Sequence, residues 1–336
     1  MYDLKIFSSK SFDVPIIGIG NLSTGGTGKT PMSEYIIQIL LENGHRPAML
    51  SRGYGRNTKG YVEATLKMNS EVVGDEPNQV KNKFPAVCVA VCEDRVTGVE
   101  KIMKDHPDVD VIVLDDCFQH RKIKPGFNIL LTEYNLPYYK NYLLPSGTLR
   151  EPVSSRKRAD VIILTKCPEN ISQKTKKIQT ELLKVSKKQK AFFTNINYAL
   201  PRKLNTGIDH SKPVSFDNIW TNKIIMFTGI ANNKPIEVFL EGTGARYKMM
   251  KFPDHYKYSV SDIENIIQKW KNTSQDEKLL LTTEKDWRRI QGLPQEKAFE
   301  GIPLYYLPIS VQWKDREKVE FDEMLLNYVQ SNRKGL

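Results

Sequence analysis

The chain has 336 residues, of which 40% are hydrophobic, 26% charged and 10% aromatic. This composition is that of a globular protein long enough for two domains, and it excludes a disordered, collagen-like or disulfide-stapled chain. The net charge of +11 favours anionic partners, such as nucleic acid, an anionic lipid surface or a phosphorylated substrate. The 4 cysteines lack a zinc spacing, which indicates a reducing compartment. Because no run reaches the ~18 apolar residues of a transmembrane helix, we expect a cytoplasmic protein that meets a membrane only peripherally.

Short apolar runs alternate with helix-like segments in the first half of the chain. Runs without polar alternation are typical of parallel strands that are covered on both faces. A helical pattern follows the first run, and another lies between Ile171 and Lys188. The predicted strands are Val14–Gly20, Pro47–Ser51, Ala86–Val91, Val109–Leu114, Asn128–Thr132 and Asp160–Thr165.

The pattern changes near residue 191, where Pro, Asn and aromatic residues predict an extended linker as far as residue 222. A second alternating block follows. Its predicted strands are Lys223–Thr228, Arg246–Lys251 and Lys278–Thr283, and its predicted helices are Lys234–Glu241, Ser261–Thr273 and Arg316–Gln330. Residues 303–311 are expected to be extended. We therefore predict a first domain at 1–190, a linker at 191–222 and a smaller α/β domain at 223–336.

The strongest motif lies between the first predicted strand and the first predicted helix. It consists of Ser23, Thr24, Gly25, Gly26, Thr27, Gly28, Lys29 and Thr30. This strand–loop–helix context is what a phosphate-binding P-loop requires. Glycines let backbone N–H groups crowd around phosphate oxygens, Lys29 would reach the β- and γ-phosphates, and Thr30 would bind Mg²⁺. The usual pattern has glycine where this chain has Ser23. The alternative is a glycine-rich turn with an exposed lysine.

A second acidic element supports the P-loop interpretation. The apolar run before Asp115 and Asp116 resembles a Walker B strand, whose acidic residues emerge at the carboxyl end, where ligands bind in open α/β sheets. One of the two carboxylates would hold Mg²⁺, and His120 lies just beyond them. The alternative is a strand that ends in a polar turn. With the P-loop, the predicted fold is α/β: a P-loop NTPase (RecA-like) parallel sheet with a second, smaller α/β domain.

Several further motifs occur in a characteristic order. They are GNLSTGGTGKTP, LSRGYGR, VGDEP, Asp94–Arg95, LDDCFQH, LPSGTLREP, FPDHY and LTTEKD, and they extend from Gly20 to Asp286. In these residues the chain resembles the tetraacyldisaccharide 4′-kinase family, the lipid A 4′-kinases of Gram-negative bacteria. Each motif apart from the P-loop is weak, but eight in the right order make a chance match improbable. That family also carries a small hydroxyl residue at the position of Ser23.

The resemblance implies transfer of the γ-phosphate of ATP to the 4′-hydroxyl of a tetraacyl disaccharide 1-phosphate, with Mg²⁺. It implies that Asp94 is the catalytic aspartate and that His255 is the histidine that pairs with it. A carboxylate near a sugar hydroxyl can accept its proton during phosphoryl transfer, and domain closure would exclude water. Without the family, Asp94 and Arg95 could form a surface ion pair. Further active-site residues implied by the resemblance are Tyr54, His120, Arg150 and Glu151.

Family members usually begin with an additional apolar or amphipathic helix at the membrane. This chain begins with MYDLKIF, which resembles the residues that follow such a helix. We expect peripheral contact with the cytoplasmic face of the inner membrane, with basic residues 156–158 and the lysines of 174–190 as candidates, although these could form an ordinary solvated face.

Two other functions remain open from the residues. One is a P-loop nucleotide switch or metallochaperone-like NTPase that acts through partner binding. Pro168 stands where the similar guanine-reading signature has an acid, so ATP is favoured over GTP. The other is a nucleic-acid-dependent ATPase. The basic residues show no interleaved aromatics, so we expect no nucleic-acid partner.

Overall fold

The computed structural model describes residues 8–204, 219–220, 223–273, 278–314 and 316–332. The chain divides into two compact units. The first unit comprises Met1–Thr65, Val80–Asn197 and Ser310–Leu336, and the second comprises Leu66–Gln79 and Tyr198–Ile309. The start of the chain at residues 1–7, and residues 205–218 and 221–222 of the predicted linker, lie outside the described residues.

Nine of the described strands form one sheet in the first unit. They are β1 (Ile16–Asn21), β2 (Pro47–Ser51), β3 (Val62–Glu63), β4 (Cys88–Val91), β5 (Val111–Leu114), β6 (Phe127–Glu133), β7 (Val161–Thr165), β8 (Lys190–Tyr198) and β14 (Ile309–Trp313). The order is β14-β8-β7-β6-β1-β5-β2-β4-β3. Strand β1 pairs in parallel with β5 on one side and β6 on the other. Later strands therefore lie on both sides of β1, which creates the topological switch point where α/β sheets bind ligands.

Helices cover both faces of this sheet. They are α1 (Lys29–Glu42), α4 (Arg95–Asp105), α5 (Gln173–Leu182) and α9 (Glu317–Asn332). Helix α1 buries Met32, Ile36 and Leu40 completely, at the i, i+4, i+8 spacing of an amphipathic helix. It ends where Gly44 takes a φ of 76°. Helix α9 packs Phe321 and Leu325 into the core, and Phe321 contacts Trp313 of β14 with ring centroids 4.5 Å apart.

The second unit has its own sheet, of order β11-β10-β12-β13-β9 among the described strands. These are β9 (Arg202–Lys203), β10 (Lys223–Thr228), β11 (Arg246–Lys251), β12 (Lys278–Thr283) and β13 (Leu304–Leu307), and β9 alone of these runs antiparallel to its neighbour. Its helices are α2 (Ser70–Val73), α6 (Lys234–Gly242), α7 (Val260–Lys271) and α8 (Glu284–Ile290), and helix α3 (Asp75–Lys83) begins in this unit. A capping box between Ser259 and Asp262 starts α7.

The predicted fold class is confirmed, and four of the predicted strands, β2, β10, β11 and β12, have the expected bounds. The extended linker is wrong at its beginning, because residues 190–198 form β8 inside the large sheet, parallel to β7. Residues 66–79 belong to the second unit and residues 310–336 to the first, which differs from the predicted division at 190 and 222. Within the described residues, no helix has both the length and the hydropathy to cross a bilayer.

Candidate active site

The loop between β1 and α1, together with the first turn of α1, contains the eight predicted nucleotide-binding residues. Gly25 and Gly28 have φ values of 105° and 88°, in the left-handed region that glycine adopts without strain. Gly28 is the residue before α1, and Lys29 and Thr30 form its first turn. The first N–H groups of a helix have no intrahelical partner and carry partial positive charge. The loop therefore presents backbone donors and the Lys29 ammonium at one helix end, as anion binding requires.

The space around this loop fits a polar ligand. A Cβ atom added to Gly25 or Gly26 would meet nothing within 4 Å. Four buried polar atoms here have no hydrogen-bond partner among the described residues: Thr27 Oγ1, Asn21 Nδ2, Gln119 Oε1 and Arg150 Nε. Because an unpaired buried polar group costs about 1–3 kcal/mol, a ligand that supplied partners for them would be stabilised. A triphosphate with its cation has this chemistry.

The two acidic residues that follow β5 both contact side chains of α1. Asp115 is buried, and its Oδ1 accepts a hydrogen bond from Ser33 of α1 at 3.2 Å. Asp116 has a φ of 45° and lies 3.7 Å from the Lys29 ammonium. Burial opposes ionisation of Asp116, but Lys29 and Arg150 outweigh it and hold the pKa of that carboxyl below its usual value. Asp116 is therefore a stable anion that positions the loop lysine.

Arg150 joins the acidic pair to the end of β1. Its Nη2 donates to Asp116 Oδ1 at 2.9 Å and also to the Asn21 side chain. Its backbone N–H donates to Leu22 O at 2.6 Å. Arg150 therefore lies beside Asp116 and the end of β1, and its guanidinium is a cation that can neutralise charge on a bound anion.

The other three predicted residues differ in their surroundings. Burial, reinforced by Arg95 and Arg52, lowers the pKa of His120 to about 4, so this imidazole is neutral at physiological pH. Glu151 accepts from Arg158 Nη2 at 2.6 Å, and this ion pair supports the loop after Arg150. Tyr54 is 70% exposed on the loop after β2.

Asp94 lies at the start of α4, close after β4. Its Oδ1 accepts from the backbone N–H groups of Val96 and Thr97 at 3.0 and 3.2 Å, so it is the N-cap of the helix. Lys122 Nζ lies 3.5 Å from Oδ2. The amide of Thr97 contributes most to lowering the pKa of Asp94. Because β4 and β1 run in the same direction through β2 and β5, Asp94 and the phosphate loop share one edge of the sheet.

The alternative prediction, a surface ion pair between Asp94 and Arg95, is wrong. Arg95 is buried, and its guanidinium donates to the carbonyl oxygens of Cys92 at 2.6 Å and Asp115 at 3.3 Å. It therefore holds together the ends of β4 and β5. The apolar strand end before Arg95 was a sequence signal for this burial.

His255 lies in the second unit and takes a φ of 55°. Its Nδ1 is 3.3 Å from Asp75 Oδ2 and 3.3 Å from Arg289 Nη2, and its Nε2 is 3.4 Å from Lys285 Nζ. Burial raises the pKa of Asp75, but the hydrogen bond from His255 and the charge of Arg289 outweigh it and lower that pKa overall. The Asp75 carboxylate therefore fixes the orientation of the His255 ring.

Arg289 is held in turn by buried groups of the same unit. It donates to Asp75 Oδ2 at 2.7 Å, to Asp286 Oδ1 at 2.9 Å and to Gly229 O at 2.8 Å. Asp286 is fully buried and also accepts from Thr228 Oγ1 and Thr283 Oγ1 at 3.0 and 2.6 Å. Sequence reasoning missed Arg289. The LTTEKD motif contains its partner Asp286 and the VGDEP motif contains its partner Asp75, but neither motif indicates which residue these carboxylates contact.

The chain matches one protein family over residues 1–330, and the family is described as LpxK, tetraacyldisaccharide-1-P 4′-kinase. Two of its relatives, both named tetraacyldisaccharide 4′-kinase, illustrate the similarity. The chain is 38% identical to that of Bacteroides thetaiotaomicron, over 100% of this chain and 90% of the relative. It is 39% identical to that of Flavobacterium psychrophilum, over 99% of this chain and 92% of the relative.

A solved structure is also similar. It is the crystal structure of the "apo" form of LpxK from Aquifex aeolicus in complex with ATP. The TM-score is 0.72 at 30% identity, and the similarity covers 98% of this chain and 92% of that chain.

Proposed function

The chain belongs to the tetraacyldisaccharide-1-P 4′-kinase family, and we propose how its residues transfer the γ-phosphate of ATP to the 4′-hydroxyl of a tetraacyl disaccharide 1-phosphate. The family makes the chain an ATP-dependent kinase of lipid A biosynthesis, a phosphotransferase with an alcohol group as acceptor. None of the comparisons favours the alternative, a nucleotide switch that acts through partner binding. The observation that carries the residue assignment is the ion contact of Lys29 and Arg150 with Asp116 at the phosphate loop.

ATP binding is assigned to residues 23–30. The left-handed glycines open the loop, and the start of α1 supplies backbone donors. Lys29 and Arg150 are the cations that would neutralise the β- and γ-phosphates, as phosphoryl transfer requires. Asp116 Oδ1 contacts both cations, and its Oδ2 accepts a further hydrogen bond from Arg150. Thr27 Oγ1 and Asn21 Nδ2 are buried and have no hydrogen-bond partner among the described residues.

Mg²⁺ is assigned to Thr30 and the acidic pair. When bound, it would neutralise charge that develops on the transferred phosphate. Thr30 and Ser33 are three residues apart on α1, so their side chains share one face, and Ser33 contacts Asp115. This arrangement favours Asp115 as the direct ligand. Asp116 already faces two cations, which favours a role in positioning Lys29 and Arg150.

Asp94 is proposed as the group that accepts the hydroxyl proton. Its lowered pKa keeps it ionised at neutral pH, and it lies on the phosphate-loop edge of the sheet. His255 is proposed to assist it, with Asp75 setting the orientation of the ring. The partnership between Asp94 and His255 stays a prediction.

We place the enzyme at the cytoplasmic face of the inner membrane. Two properties support this assignment: the family's acceptor is a lipid, and the chain has a net charge of +11. Basic residues near an anionic leaflet contribute about 1 kcal/mol each. The basic segment at 156–158 follows the loop of Arg150 and remains the candidate contact.

The test is transfer of labelled γ-phosphate from ATP to a tetraacyl disaccharide 1-phosphate in detergent. Lys29→Ala should lower the transfer rate by about 10³-fold, because it removes a cation that contacts the transferring group. The matched control is Lys10→Ala, which removes an exposed lysine that pairs with Glu100. Phosphate release without a bisphosphorylated product would contradict the kinase assignment and support the switch.

A further inference from the structure

An exposed apolar tip follows β6 in the first unit. We define this tip as Tyr142, Leu143 and Leu144, which are 72%, 48% and 55% exposed. Three consecutive large apolar side chains in water are unusual, whereas single exposed ones are ordinary. A cluster of this kind marks a surface that another apolar group covers.

The tip is held in shape by hydrogen bonds within its own loop. Leu149 N–H donates to Tyr142 O at 2.9 Å, and Leu144 N–H donates to Leu149 O at 3.0 Å. The side chain of Asn141 accepts from Tyr142 N at 2.8 Å and from Thr148 N at 3.0 Å. The apolar side chains therefore stay exposed in a preformed loop and do not fold back onto the protein.

Close packing at Gly147 reinforces this shape. A Cβ atom at this position would lie 2.4 Å from Tyr142 O and 2.6 Å from Asn141 Oδ1. Only glycine lets the two sides of the loop approach this closely. The loop also ends in the core, because Leu149 is 2% exposed.

The same loop is attached directly to the phosphate loop. Thr24 N–H donates to Thr148 O at 2.8 Å, and Ser23 forms an isolated bridge with Leu149. Arg150, which contacts Asp116, follows immediately. The apolar tip is thus fixed a few residues from the groups that hold the transferring phosphate.

We propose that the apolar tip binds the acyl chains of the lipid acceptor. A disaccharide with four acyl chains carries hydrocarbon within a few bonds of each of its hydroxyl groups. When a hydroxyl meets the γ-phosphate at the phosphate loop, nearby acyl chains must leave the sugar close to this loop. A rigid apolar surface binds such chains without an ordering cost of its own. The inference rests on the proposed function, because it takes the tetraacyl acceptor from it.

The experiment compares two acceptors with the full-length enzyme. One is the tetraacyl disaccharide 1-phosphate in mixed micelles, and the other is a water-soluble analogue with short acyl chains. The variant is Tyr142→Ser combined with Leu143→Ser. The ratio of kcat/KM for the long-chain acceptor to kcat/KM for the short-chain acceptor should fall by about tenfold or more, as expected for loss of two apolar contacts. The loss should appear in KM for the lipid.

The matched control is Leu182→Ser, which removes a leucine of similar exposure, 42%, at the end of α5. It should leave the acceptor ratio unchanged. Thermal unfolding of the variants checks that the loop changes leave the fold intact, as expected for exposed side chains. The single variant Leu143→Ser should lower the ratio by a smaller factor.

Each remaining outcome would contradict either this proposal or the proposed function. An unchanged ratio in the double variant would overturn the proposal, and so would equal losses with both acceptors. Loss of binding to phospholipid vesicles without acceptor, at an unchanged ratio, would assign the tip to the bilayer surface and also overturn it. Failure of the wild-type enzyme to phosphorylate the long-chain acceptor would instead reject the proposed function itself.

Discussion

Charged residues are arranged differently around the phosphate loop and around His255. At the phosphate loop, buried polar atoms of Thr27, Asn21 and Arg150 have no hydrogen-bond partner within the part of the chain that the structure describes. Around His255, the carboxylates of Asp75 and Asp286 are already engaged by Arg289. The first region therefore contains groups whose hydrogen bonds a ligand can complete, whereas the second obtains its interactions from the protein.

This difference indicates that the two regions have different functions. A site with unsatisfied groups is built to bind charge that arrives with a substrate. A site with satisfied groups is built to keep one side chain in place, here His255. Changes in the first region should therefore alter rate more than stability, and changes in the second should alter stability first.

Outside the phosphate loop, the largest effect in the first unit is expected at Asp94. Asp94→Asn and Asp94→Ser should each lower kcat by about 10²-fold or more, because the proton acceptor is lost. Asn and Ser are both good N-cap residues, so α4 and the melting temperature should be preserved. Phosphate transfer at saturating acceptor and thermal unfolding measure the two properties. Full activity in either variant would show that Asp94 acts only as the N-cap of α4 and does not accept the proton.

The next effect, on stability, is expected at Asp286. Asp286→Asn should destabilise the second unit by about 3 kcal/mol, because Arg289 loses a buried partner. Hydrogen exchange at the amides of β12 and α8 would detect the local opening. The matched change is Asp262→Asn at the exposed start of α7, which should cost about 1 kcal/mol or less. Unchanged exchange with a large loss of kcat would show that this network acts on catalysis and not as a scaffold.

The sequence identified the residues of the first region better than those of the second, for a physical reason. Strand ends do not explain the difference, because continuous apolar runs made them visible in both units, at β2 in the first and at β10 in the second. The phosphate loop is continuous in sequence, and its glycines and lysine have a mechanism attached to their spacing. By contrast, the contact between Asp75 and Arg289 joins residues 214 positions apart. No local pattern reports such a pair.

The errors have related causes. Strand β8 mixes buried Phe192 and Phe193 with Thr and Asn, and the polar residues concealed its place in the sheet. Helix α9 had the expected pattern, but its membership of the first unit depends on packing, including the aromatic contact of Phe321 with Trp313. Asp94 was predicted from a family motif, and its role as the cap of α4 was visible only in the structure.

The smallest expected effect is the contribution of His120, beside the phosphate loop, to the pH dependence of stability. Burial, with Arg95 and Arg52, lowers the pKa of this imidazole from 6.5 to about 4 in the folded chain. As pH falls below 6.5, the unfolded chain takes up a proton while the folded chain does not. The contribution of His120 to the free energy of unfolding is therefore fully present above pH 6.5 and is lost as the pH falls towards 4. We expect a loss of about 1 kcal/mol, discounted because the ring is partly exposed and screened.

Chemical denaturation of the wild-type chain and His120→Asn between pH 7 and pH 4 would measure this contribution. The variant should show a shallower loss of stability, because asparagine does not titrate. An identical slope in both proteins would assign the acid sensitivity to other groups. The expected result would mean that the phosphate-loop region owes part of its stability near neutral pH to the uncharged, partly buried imidazole of His120.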